Sequence, residues 1–438
     1  MSKLTPIIGL EVHVELKTNS KMFCSCSADY FGKNPNSHTC PVCLGLPGAL
    51  PVPNKTAIDW CIKIALALNC KINSFSKFDR KNYFYPDLSK GYQISQYDLP
   101  FGYEGYIELS SGKKIGITRV HMEEDTGKLS HQDIHHEKVS LIDFNRSGVP
   151  LVEIVTEPDF HDALEVKEYL QKLQQIVRYL DVSNADMEKG EMRLEPNISL
   201  STDPKKLPNY KVEVKNINSF KFVEKAINYE IKRQDAILER EEIPAQETRG
   251  WDDNRQKTFS QRSKEDAHDY RYFPEPDIPP ILTTKDEIST LFKSVPELPD
   301  KKIKRFEKEF SLTFYDSEIL TREKPLADFF EEAVREGKAQ KLNPKDIANY
   351  IINKKVDENT ISPIALVQQI VASKQTVQVD EKELERIISE VIAENEKAVS
   401  DYKSGKEASF MFLLGQVMKK LGKKVDINLI KDKIKKSL

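Results

Sequence analysis

The chain has 438 residues, of which 39% are hydrophobic and 31% are charged, and its formal net charge is −3. This composition is typical of a soluble globular protein, and the length predicts two or three domains. The small net charge excludes a uniformly basic protein, so any RNA contact must come from local basic patches. No apolar run reaches the roughly 18 residues of a membrane span, and residues 1–6 resemble neither a signal segment nor a transit peptide. We therefore expect a cytoplasmic protein with no membrane partner.

The first predicted element is a strand over residues 7–16, in which apolar and polar side chains alternate. Successive side chains of a strand point to opposite faces of a sheet. The predicted core face consists of Ile8, Leu10, Val12, Val14 and Leu16. Glu11, His13 and Glu15 share the other face, where two carboxylates around an imidazole could hold a divalent cation or perform acid–base chemistry. The solvent-facing side of an antiparallel strand explains this pattern equally well.

Four of the six cysteines follow in two close pairs. They are Cys24, Cys26, Cys40 and Cys43. Two pairs of thiolates on a short loop are typical of a closed tetrahedral zinc site, so we predict a zinc-binding loop over residues 24–43. The alternative is a loop with four reduced cysteines, and His38 could replace one of them as a ligand. Cys61 and Cys70 lie in a helical pattern that favours burial over disulfide formation.

A helix is predicted from Asn54, a good N-cap residue, to about Asn69. The next segment, residues 78–87, interleaves aromatic residues with Arg80 and Lys81. Such a mixture can stack a nucleobase and neutralise a phosphate. An amphipathic strand that runs into a proline turn explains the segment equally well.

A second informative strand is predicted over residues 114–125. Strict alternation places Ile115 and Ile117 on the same face as His121. Three consecutive acids at 123–125 end the strand. Their negative charges repel one another and destabilise the fold unless they are solvated or bound to a cation. Beside the acidic face of the first strand they would complete a metal site, whereas alone they would form a solvated turn.

A hairpin is predicted over residues 141–158, and its polar tip presents Arg146. Amphipathic helices are predicted over residues 162–180 and from Ser219 to about Arg240. The loop that follows is rich in basic and aromatic residues. It could close over a nucleotide or an RNA end, or it could be an ordinary arm between domains.

Four prolines in residues 274–280 mark the first predicted domain boundary. We predict an α+β domain over residues 1–283, an all-α domain over 284–395 and a helical tail over 396–438. Residues 401–438 contain ten lysines and four acids, so this tail is a local basic patch. A solvated lysine-rich surface is the alternative reading.

Taken together, these patterns resemble the GatB family, the B subunits of aspartyl/glutamyl-tRNA(Asn/Gln) amidotransferases. The segments that carry the resemblance are Gly9–Leu16, Asp79–Gln96, Val120–Asp125, Leu141–Pro158, Asp186–Gly190, Glu213–Phe220 and Glu247–Trp251. The resemblance covers essentially the whole chain. It implies a glutamine synthetase-like, antiparallel-sheet cradle as the catalytic domain, and a tail that binds tRNA. Arg193–Asn197 departs from the family's Arg-Cys-Asp-Ala-Asn, which leaves the role of Glu195 open.

The resemblance also implies an activity, that of an ATP-dependent carbon–nitrogen ligase with glutamine as the amido-nitrogen donor. A carboxylate is a poor electrophile, and phosphorylation by ATP with Mg²⁺ activates it. The implied substrates are Glu-tRNA(Gln) and Asp-tRNA(Asn), which become Gln-tRNA(Gln) and Asn-tRNA(Asn). The sequence has no Walker loop, so nucleotide binding cannot rest on that motif.

The acidic strands and the resemblance together suggest a set of site residues. The expected catalytic residues are Glu11, His13, Glu123, Glu124 and Glu188. The expected Mg²⁺ ligands are Glu11, His13 and Glu124. Imidazole is an unusual ligand for a hard cation, so His13 could position phosphate instead. The expected nucleotide-binding cations are Arg80, Lys81, Arg146 and Arg193.

Ammonia has to come from another protein, because the clustered cysteines are assigned to zinc and the other two are expected to be buried. The resemblance implies a heterotrimer with two partners, an amidase (the A subunit) and a small protein (the C subunit). Two alternatives remain open at this point. One is a zinc-stabilised tRNA-binding scaffold without ligation chemistry, and the other is a free-standing ligase for small substrates.

Overall fold

The computed structural model of the protein describes residues 4–134, 136–203, 206–263, 270–374, 381–422 and 427–438. Contacts divide the chain into two compact units. The first contains the chain up to Lys304 together with Thr321–Lys324, and the second contains Arg305–Leu320 and Pro325–Leu438. Strands and helices mix in the first unit and helices make up the second, so the predicted α+β class is confirmed.

The first unit is built on a nine-stranded sheet. In order across the sheet, its strands are β14 (Lys257–Ser263), β13 (Glu247–Asp252), β12 (Val212–Lys215), β11 (Met192–Ser201), β1 (Thr5–Glu15), β10 (Pro150–Thr156), β7 (Lys114–Glu124), β6 (Gly102–Glu108) and β2 (Lys71–Ile72). Neighbouring strands are antiparallel except β12 and β13, which are parallel. The first strand of the chain therefore lies in the middle of the sheet.

Three smaller sheets flank the large one. They are formed by β15 (Phe273–Pro274), β4 (Asp79–Asn82) and β5 (Tyr92–Ser95); by β16 (Ile281–Leu282) and β3 (Phe75–Ser76); and by β8 (Lys128–Ile134) and β9 (Glu137–Asp143). The predicted hairpin over residues 141–158 is wrong, because β9 pairs with β8 and not with β10. Both edges of β10 are already hydrogen-bonded, one to β1 and the other to β7.

Helices pack on the core face of the large sheet. The helices that begin in the first unit are α1 (Lys55–Ala67), α2 (Ala163–Tyr179), α3 (Phe220–Leu238), α4 (Lys285–Lys293) and α5 (Pro299–Phe310). As predicted, Asn54 and Ser219 are N-caps, and their side chains accept hydrogen bonds from the backbone N–H groups of Ala57 and Phe222. Such caps satisfy amide donors that the first helical turn leaves unpaired.

Alternation along β1 determines which face of the large sheet becomes the core. The five apolar side chains of the predicted core face have at most 2% of their surface exposed, and they join α1, α2 and α3 in one hydrophobic cluster. Burial of each such side chain contributes about 1.5–3 kcal/mol. The predicted core face is confirmed, and Glu11, His13 and Glu15 consequently lie on the opposite face.

A β-bulge in β7 overturns the predicted alternation of that strand. The register against β10 shifts at Thr118, because Arg119 pairs with Val155 while Ile117 pairs with Thr156. An extra residue in one strand inverts the order of inward and outward side chains beyond it. Ile117 is therefore buried in the core together with the even-numbered apolar residues that follow, and His121 and Glu123 share the polar face instead.

The unit boundary differs from the predicted boundary at 283/284. Helix α4 packs against α1, and Leu291, Val295 and Leu298 add to the core of the first unit. This packing holds the chain in the first unit as far as Lys304.

The second unit has two hydrophobic cores. Its helices are α6 (Phe314–Leu320), α7 (Lys324–Gly337), α8 (Pro344–Lys354), α9 (Pro363–Lys374), α10 (Glu381–Glu394), α11 (Glu396–Lys403), α12 (Glu407–Leu421) and α13 (Ile427–Ser437). One core spans residues 306–371 and the other spans 384–438. The predicted division at 395/396 falls inside the second core. In the described ranges, no helix has both the length and the apolar character needed to cross a membrane.

Close packing of β6 against the chain beyond α1 gives a test of this architecture. A Cβ atom on Gly105 would lie 2.7 Å from the carbonyl oxygen of Leu68. We therefore expect Gly105→Ala to lower the free energy of unfolding by about 1–3 kcal/mol in urea titrations. The control is Gly415→Ala in α12, where a Cβ has no neighbour within 4 Å and should stabilise the helix by about 0.5–1 kcal/mol. A Gly105→Ala protein as stable as wild type would contradict this packing.

Candidate active site on the polar face of the sheet

Two histidines and two glutamates meet on the polar face of β1, β7 and β10. His13 Nε2 lies 3.5 Å from Glu153 Oε2 and 3.7 Å from Glu123 Oε2. His121 Nε2 lies 3.1 Å from Glu153 Oε2, and Lys81 Nζ lies 3.6 Å from Glu123 Oε1. We call these five residues the histidine–glutamate cluster. Strand order creates it, because β10 places Glu153 beside His13 on one side and beside His121 on the other.

Opposite charges in this cluster outweigh the cost of burial. Burial opposes a charged imidazole, but the hydrogen bond and negative charge of Glu153 raise the pKa of His13 to about 9. Burial also opposes a charged Glu123, but the neighbouring Lys81 helps to lower its pKa to about 2. The metal-free cluster therefore holds ionised carboxylates and a protonated His13 at neutral pH. Binding of a divalent cation here would displace that proton.

The cluster contains one of two acidic groups that could hold a divalent cation among the residues that the structure describes. His13, Glu123 and Glu153 each offer a ligand atom, and these atoms lie within 4.8 Å of one another. His121 Nδ1 is buried with no hydrogen-bond partner among the described residues. Carboxylate and imidazole ligands together suit a divalent metal.

A second group, composed of carboxylates only, lies next to the first. Glu11, Glu195 and Glu213 place one oxygen each within 4.8 Å of one another, and we call them the carboxylate trio. Burial and the nearby acids raise the pKa of Glu11. Lys215 Nζ lies 3.1 Å from Glu195 and 3.7 Å from Glu213. Oxygen ligands alone are the set that Mg²⁺ prefers.

A cavity of about 370 Å³ adjoins the carboxylate trio. Its lining includes Glu11, Asn197, Tyr210 and Lys211. Asn197 Nδ2 donates to Glu11 Oε1 over 3.0 Å, while its Oδ1 is buried with no hydrogen-bond partner among the described residues. The cavity thus combines a carboxylate, a cation and an unused acceptor, in a volume suited to a small ligand.

The structure brings only part of the expected catalytic set together. Glu11, His13 and Glu123 lie in the two acidic groups. Glu124 points to the other side of β7, where it pairs with Lys90 and accepts a hydrogen bond of 2.9 Å from the backbone N–H of Ile94. Glu124 therefore does not lie with Glu11 and His13, beside which it was expected as a Mg²⁺ ligand. Glu188 is exposed in a turn after α2, and no described contact links its carboxylate to either group.

Three of the four expected phosphate-binding cations are engaged with partners of their own. Arg80 donates two hydrogen bonds to Glu275, of 2.6 and 2.8 Å. Arg193 donates to Asp125 over 2.8 Å, and Arg146 Nε lies 3.6 Å from the same carboxylate. Lys81, in the histidine–glutamate cluster, is the one that the structure places among the acids.

The neighbouring carboxyl groups of Glu15 and Asp125 have pKa values that are shifted in opposite directions. Burial and the adjacent Asp125 raise the pKa of Glu15 to about 9, while Arg146 and Arg193 hold the pKa of Asp125 below its usual range in spite of burial. Tyr30 donates a hydrogen bond of 3.0 Å to Glu15. Without a bound cation, Glu15 is therefore protonated at neutral pH.

Sequence reasoning missed His121, Glu153 and Glu213 as site residues and left Glu195 open. Glu153 carried a usable signal, because it is the only charged residue in the apolar run 149–155. A lone charge inside a buried strand needs a partner and points to function. Its partners could not be known from the sequence, because the predicted hairpin paired β10 with the wrong strand.

The four clustered cysteines converge as predicted. Their sulfur atoms all lie within 4.8 Å of one another, and those of Cys40 and Cys43 are 3.8 Å apart. Tetrahedral zinc with Zn–S bonds of about 2.3 Å requires sulfur–sulfur distances of about 3.8 Å. A hydrogen bond from the Cys24 thiol lowers the pKa of Cys43 to about 4, and the positive charge of buried Lys21 acts in the same direction. These residues fit a zinc ion.

Sequence comparison agrees with this geometry. Residues 6–289 match the family model described as the GatB/GatE catalytic domain, and residues 330–438 match the model described as the GatB domain. The chain therefore belongs to the GatB family.

Relatives in this family are similar to the chain over nearly its whole length. A protein of Carboxydothermus hydrogenoformans is 47% identical, over 96% of this chain and 95% of its own length. One from Thermosipho melanesiensis is 47% identical over 97% of each chain, and one from Persephonella marina is 48% identical over 94% of this chain and 95% of its own. Each is named as the B subunit of an aspartyl/glutamyl-tRNA(Asn/Gln) amidotransferase.

The cysteine geometry predicts a metal-dependent stability. We expect the purified chain to carry about one zinc by elemental analysis and Cys43→Ser to lose most of it, because structural zinc is held by all four ligands. A chelator should lower the melting temperature of wild type but not that of the variant. Cys61→Ser, at a buried cysteine outside the loop, is the control and should keep its zinc. Equal zinc content in the two variants would contradict the site.

The Glu15–Asp125 pair predicts a pH-dependent difference in stability. Because the folded pKa of Glu15, about 9, exceeds its ordinary value of 4.5, wild type loses stability as the pH rises through this window. Glu15→Gln mimics the protonated acid and removes that loss. In urea unfolding at pH 5, 7 and 9, the free energy of unfolding of the variant should therefore increase relative to that of wild type as the pH rises. Glu239→Gln, at an exposed carboxylate, should show no such trend. A constant difference between Glu15→Gln and wild type would contradict the raised pKa of Glu15.

Proposed function

We propose that this chain activates the side-chain carboxylate of Glu-tRNA(Gln) and Asp-tRNA(Asn) with ATP, as one subunit of a tRNA-dependent amidotransferase. Membership of the GatB family and the names of its relatives support this substrate class. The observation that carries the proposal is the presence of two adjacent acidic groups on one face of β1. Glu11 belongs to one group and His13 to the other, about 7 Å apart along the strand. Such a pair of sites suits the transfer of a phosphoryl group between two anions.

Different residues of the site have different roles in the proposed reaction. The carboxylate trio would hold Mg²⁺, and His13, Glu123 and Glu153 would hold a second divalent cation. Bound Mg²⁺ neutralises phosphate charge and aligns the transfer. Lys81 and Lys215 add positive charge at the edges of the two groups. We assign the 370 Å³ cavity beside Glu11 to the nucleotide.

Phosphoryl transfer to the substrate carboxylate gives an acyl phosphate, which ammonia then attacks with release of phosphate. The product is the amide, Gln-tRNA(Gln) or Asn-tRNA(Asn). The overall reaction is that of a carbon–nitrogen ligase with glutamine as the amido-nitrogen donor.

Ammonia is supplied by a partner in this proposal. Four of the six cysteines form the zinc-type cluster, and Cys61 and Cys70 are buried with pKa values raised by burial. A buried thiol of raised pKa is a poor nucleophile. We therefore propose a heterotrimer in which an amidase, the A subunit, generates ammonia and a small protein, the C subunit, completes the assembly.

The helical C-terminal region is the proposed contact for the body of the tRNA. Helices α12 and α13 both carry lysines in their last turns, and Lys419 and Lys436 are exposed. Exposed lysines on helices bind RNA phosphates through charge. This contact should weaken as salt rises.

The test is ADP release by the complex assembled with its partner subunits, with and without Glu-tRNA(Gln). We expect release to depend on charged tRNA, and to fall about 100-fold or more in Glu153→Gln and in Glu195→Gln, because each loses a carboxylate that would hold a cation. Glu239→Gln, at an exposed carboxylate immediately after α3, should retain wild-type release. Circular dichroism checks that all variants are folded.

Undiminished release in both site variants would refute the assignment. Catalysis would then belong to a partner protein, and the chain would act as a zinc-stabilised scaffold that holds tRNA.

A further inference from the structure

Four tyrosines form a continuous row of rings beside the histidine–glutamate cluster. Tyr83 and Tyr270 have ring centroids 5.8 Å apart, and Tyr270 and Tyr272 are separated by 6.2 Å. Tyr272 and Tyr97 are stacked, with centroids 4.3 Å apart and an interplanar angle of 14°. We call these residues the tyrosine row. Neither the acidic groups nor the cavity beside Glu11 includes any of them.

We propose that the tyrosine row binds the single-stranded 3′ end of the aminoacylated tRNA, with its last bases stacked on the tyrosine rings. This inference rests on the proposed function, since it names the site at which the tRNA substrate of that reaction is held. Aromatic rings stack on any base, so a row of them binds single-stranded nucleic acid without the need for a phosphate pocket.

The row is both exposed and fixed in place. Tyr97 has 57% of its surface exposed and Tyr270 has 37%, so parts of both remain free for a ligand. The backbone N–H of Asn82 donates to the carbonyl of Tyr270 over 2.8 Å, and the Asn82 side chain donates to the carbonyl of Arg271 over 2.9 Å. These bonds join the end of β4 to the segment before β15. A platform that is already ordered loses little entropy on binding.

The inner rings of the tyrosine row lie close to the histidine–glutamate cluster. Lys81 Nζ lies 5.2 Å from the centroid of the Tyr270 ring and 3.6 Å from Glu123 Oε1. After burial, the negative charges of Glu123 and Glu153 also contribute to raising the pKa of Tyr272 to about 12. In an aminoacylated tRNA the amino acid is esterified to the terminal ribose, so the last base must lie one ribose away from the reacting side chain. A row of rings that Lys81 links to Glu123 suits this arrangement.

The number of rings favours an RNA end over ATP. A mononucleotide needs one stacking partner, whereas successive bases of a single strand need successive rings. The row offers four rings, more than a single nucleobase can use. The cavity beside Glu11 provides a separate place for the nucleotide.

The first test is binding of uncharged tRNA to the assembled complex, followed by fluorescence anisotropy. Intact tRNA is compared with tRNA that lacks its single-stranded 3′ nucleotides. Wild type should bind the shortened tRNA about 5- to 150-fold more weakly, as expected for the loss of one stacked base. Tyr97→Ala and Tyr270→Ala should each show a smaller preference for intact tRNA than wild type, while Tyr97→Phe and Tyr270→Phe should retain the wild-type preference. Tyr315→Ala, at a tyrosine that is 64% exposed elsewhere in the chain, should behave as wild type.

A second readout separates the tRNA end from ATP. The two alanine variants should raise the KM for Glu-tRNA(Gln) in ADP release, and they should leave the KM for ATP unchanged. Alanine variants that keep the full wild-type preference for intact tRNA would overturn the proposal. A parallel rise in the KM for ATP would also overturn it and would place the nucleotide base on the tyrosines. Because the binding comparison needs no catalysis, it remains decisive even if ADP release proves independent of charged tRNA.

Discussion

The carboxylates on the polar face of the large sheet repel one another and have lost most of their contact with water, so each needs a positive charge or a proton nearby. Glu153 has His13 and His121, and Asp125 has Arg193. Glu15 keeps a proton instead. The carboxylate trio, in contrast, has one ion-paired lysine for three acids. This deficit of positive charge is the strongest physical reason to place a cation there.

The need of buried carboxylates for a positive charge explains why the arginines in this region do not by themselves indicate a phosphate-binding site. Arg193 neutralises Asp125, and Arg80 holds the fully buried carboxylate of Glu275 while its guanidinium lies over the ring of Tyr92. Loss of one partner from such a pair would leave an uncompensated buried charge. Arg80 and Arg193 therefore neutralise buried carboxylates of the fold. Lys81 differs from these arginines, because its partner, Glu123, is itself a candidate cation ligand in the histidine–glutamate cluster.

One inserted residue also shapes the site. The bulge at Thr118 exchanges the two faces for the residues of β7 that follow it. His121 and Glu123 therefore lie on the polar face of the sheet, where His121 contacts Glu153 of β10. Glu124 lies on the opposite side and pairs with Lys90. Without the bulge, apolar residues would have turned to the polar face. The outward turn of Glu123 also brings it within reach of Lys81, and so connects the acidic groups to the tyrosine row.

The sequence alone determined features that depend on neighbours along the chain. The alternation of β1 predicted its buried face, the residue types at Asn54 and Ser219 predicted two helix caps, and the cysteine spacing predicted the cluster of sulfur atoms. Only the tertiary structure decided which strands became neighbours. Strand order placed Glu153 between two histidines and grouped Glu11 with Glu195 and Glu213. Side-chain periodicity is local, but the partner of a strand depends on contacts across the whole fold, and periodicity carries no information about them.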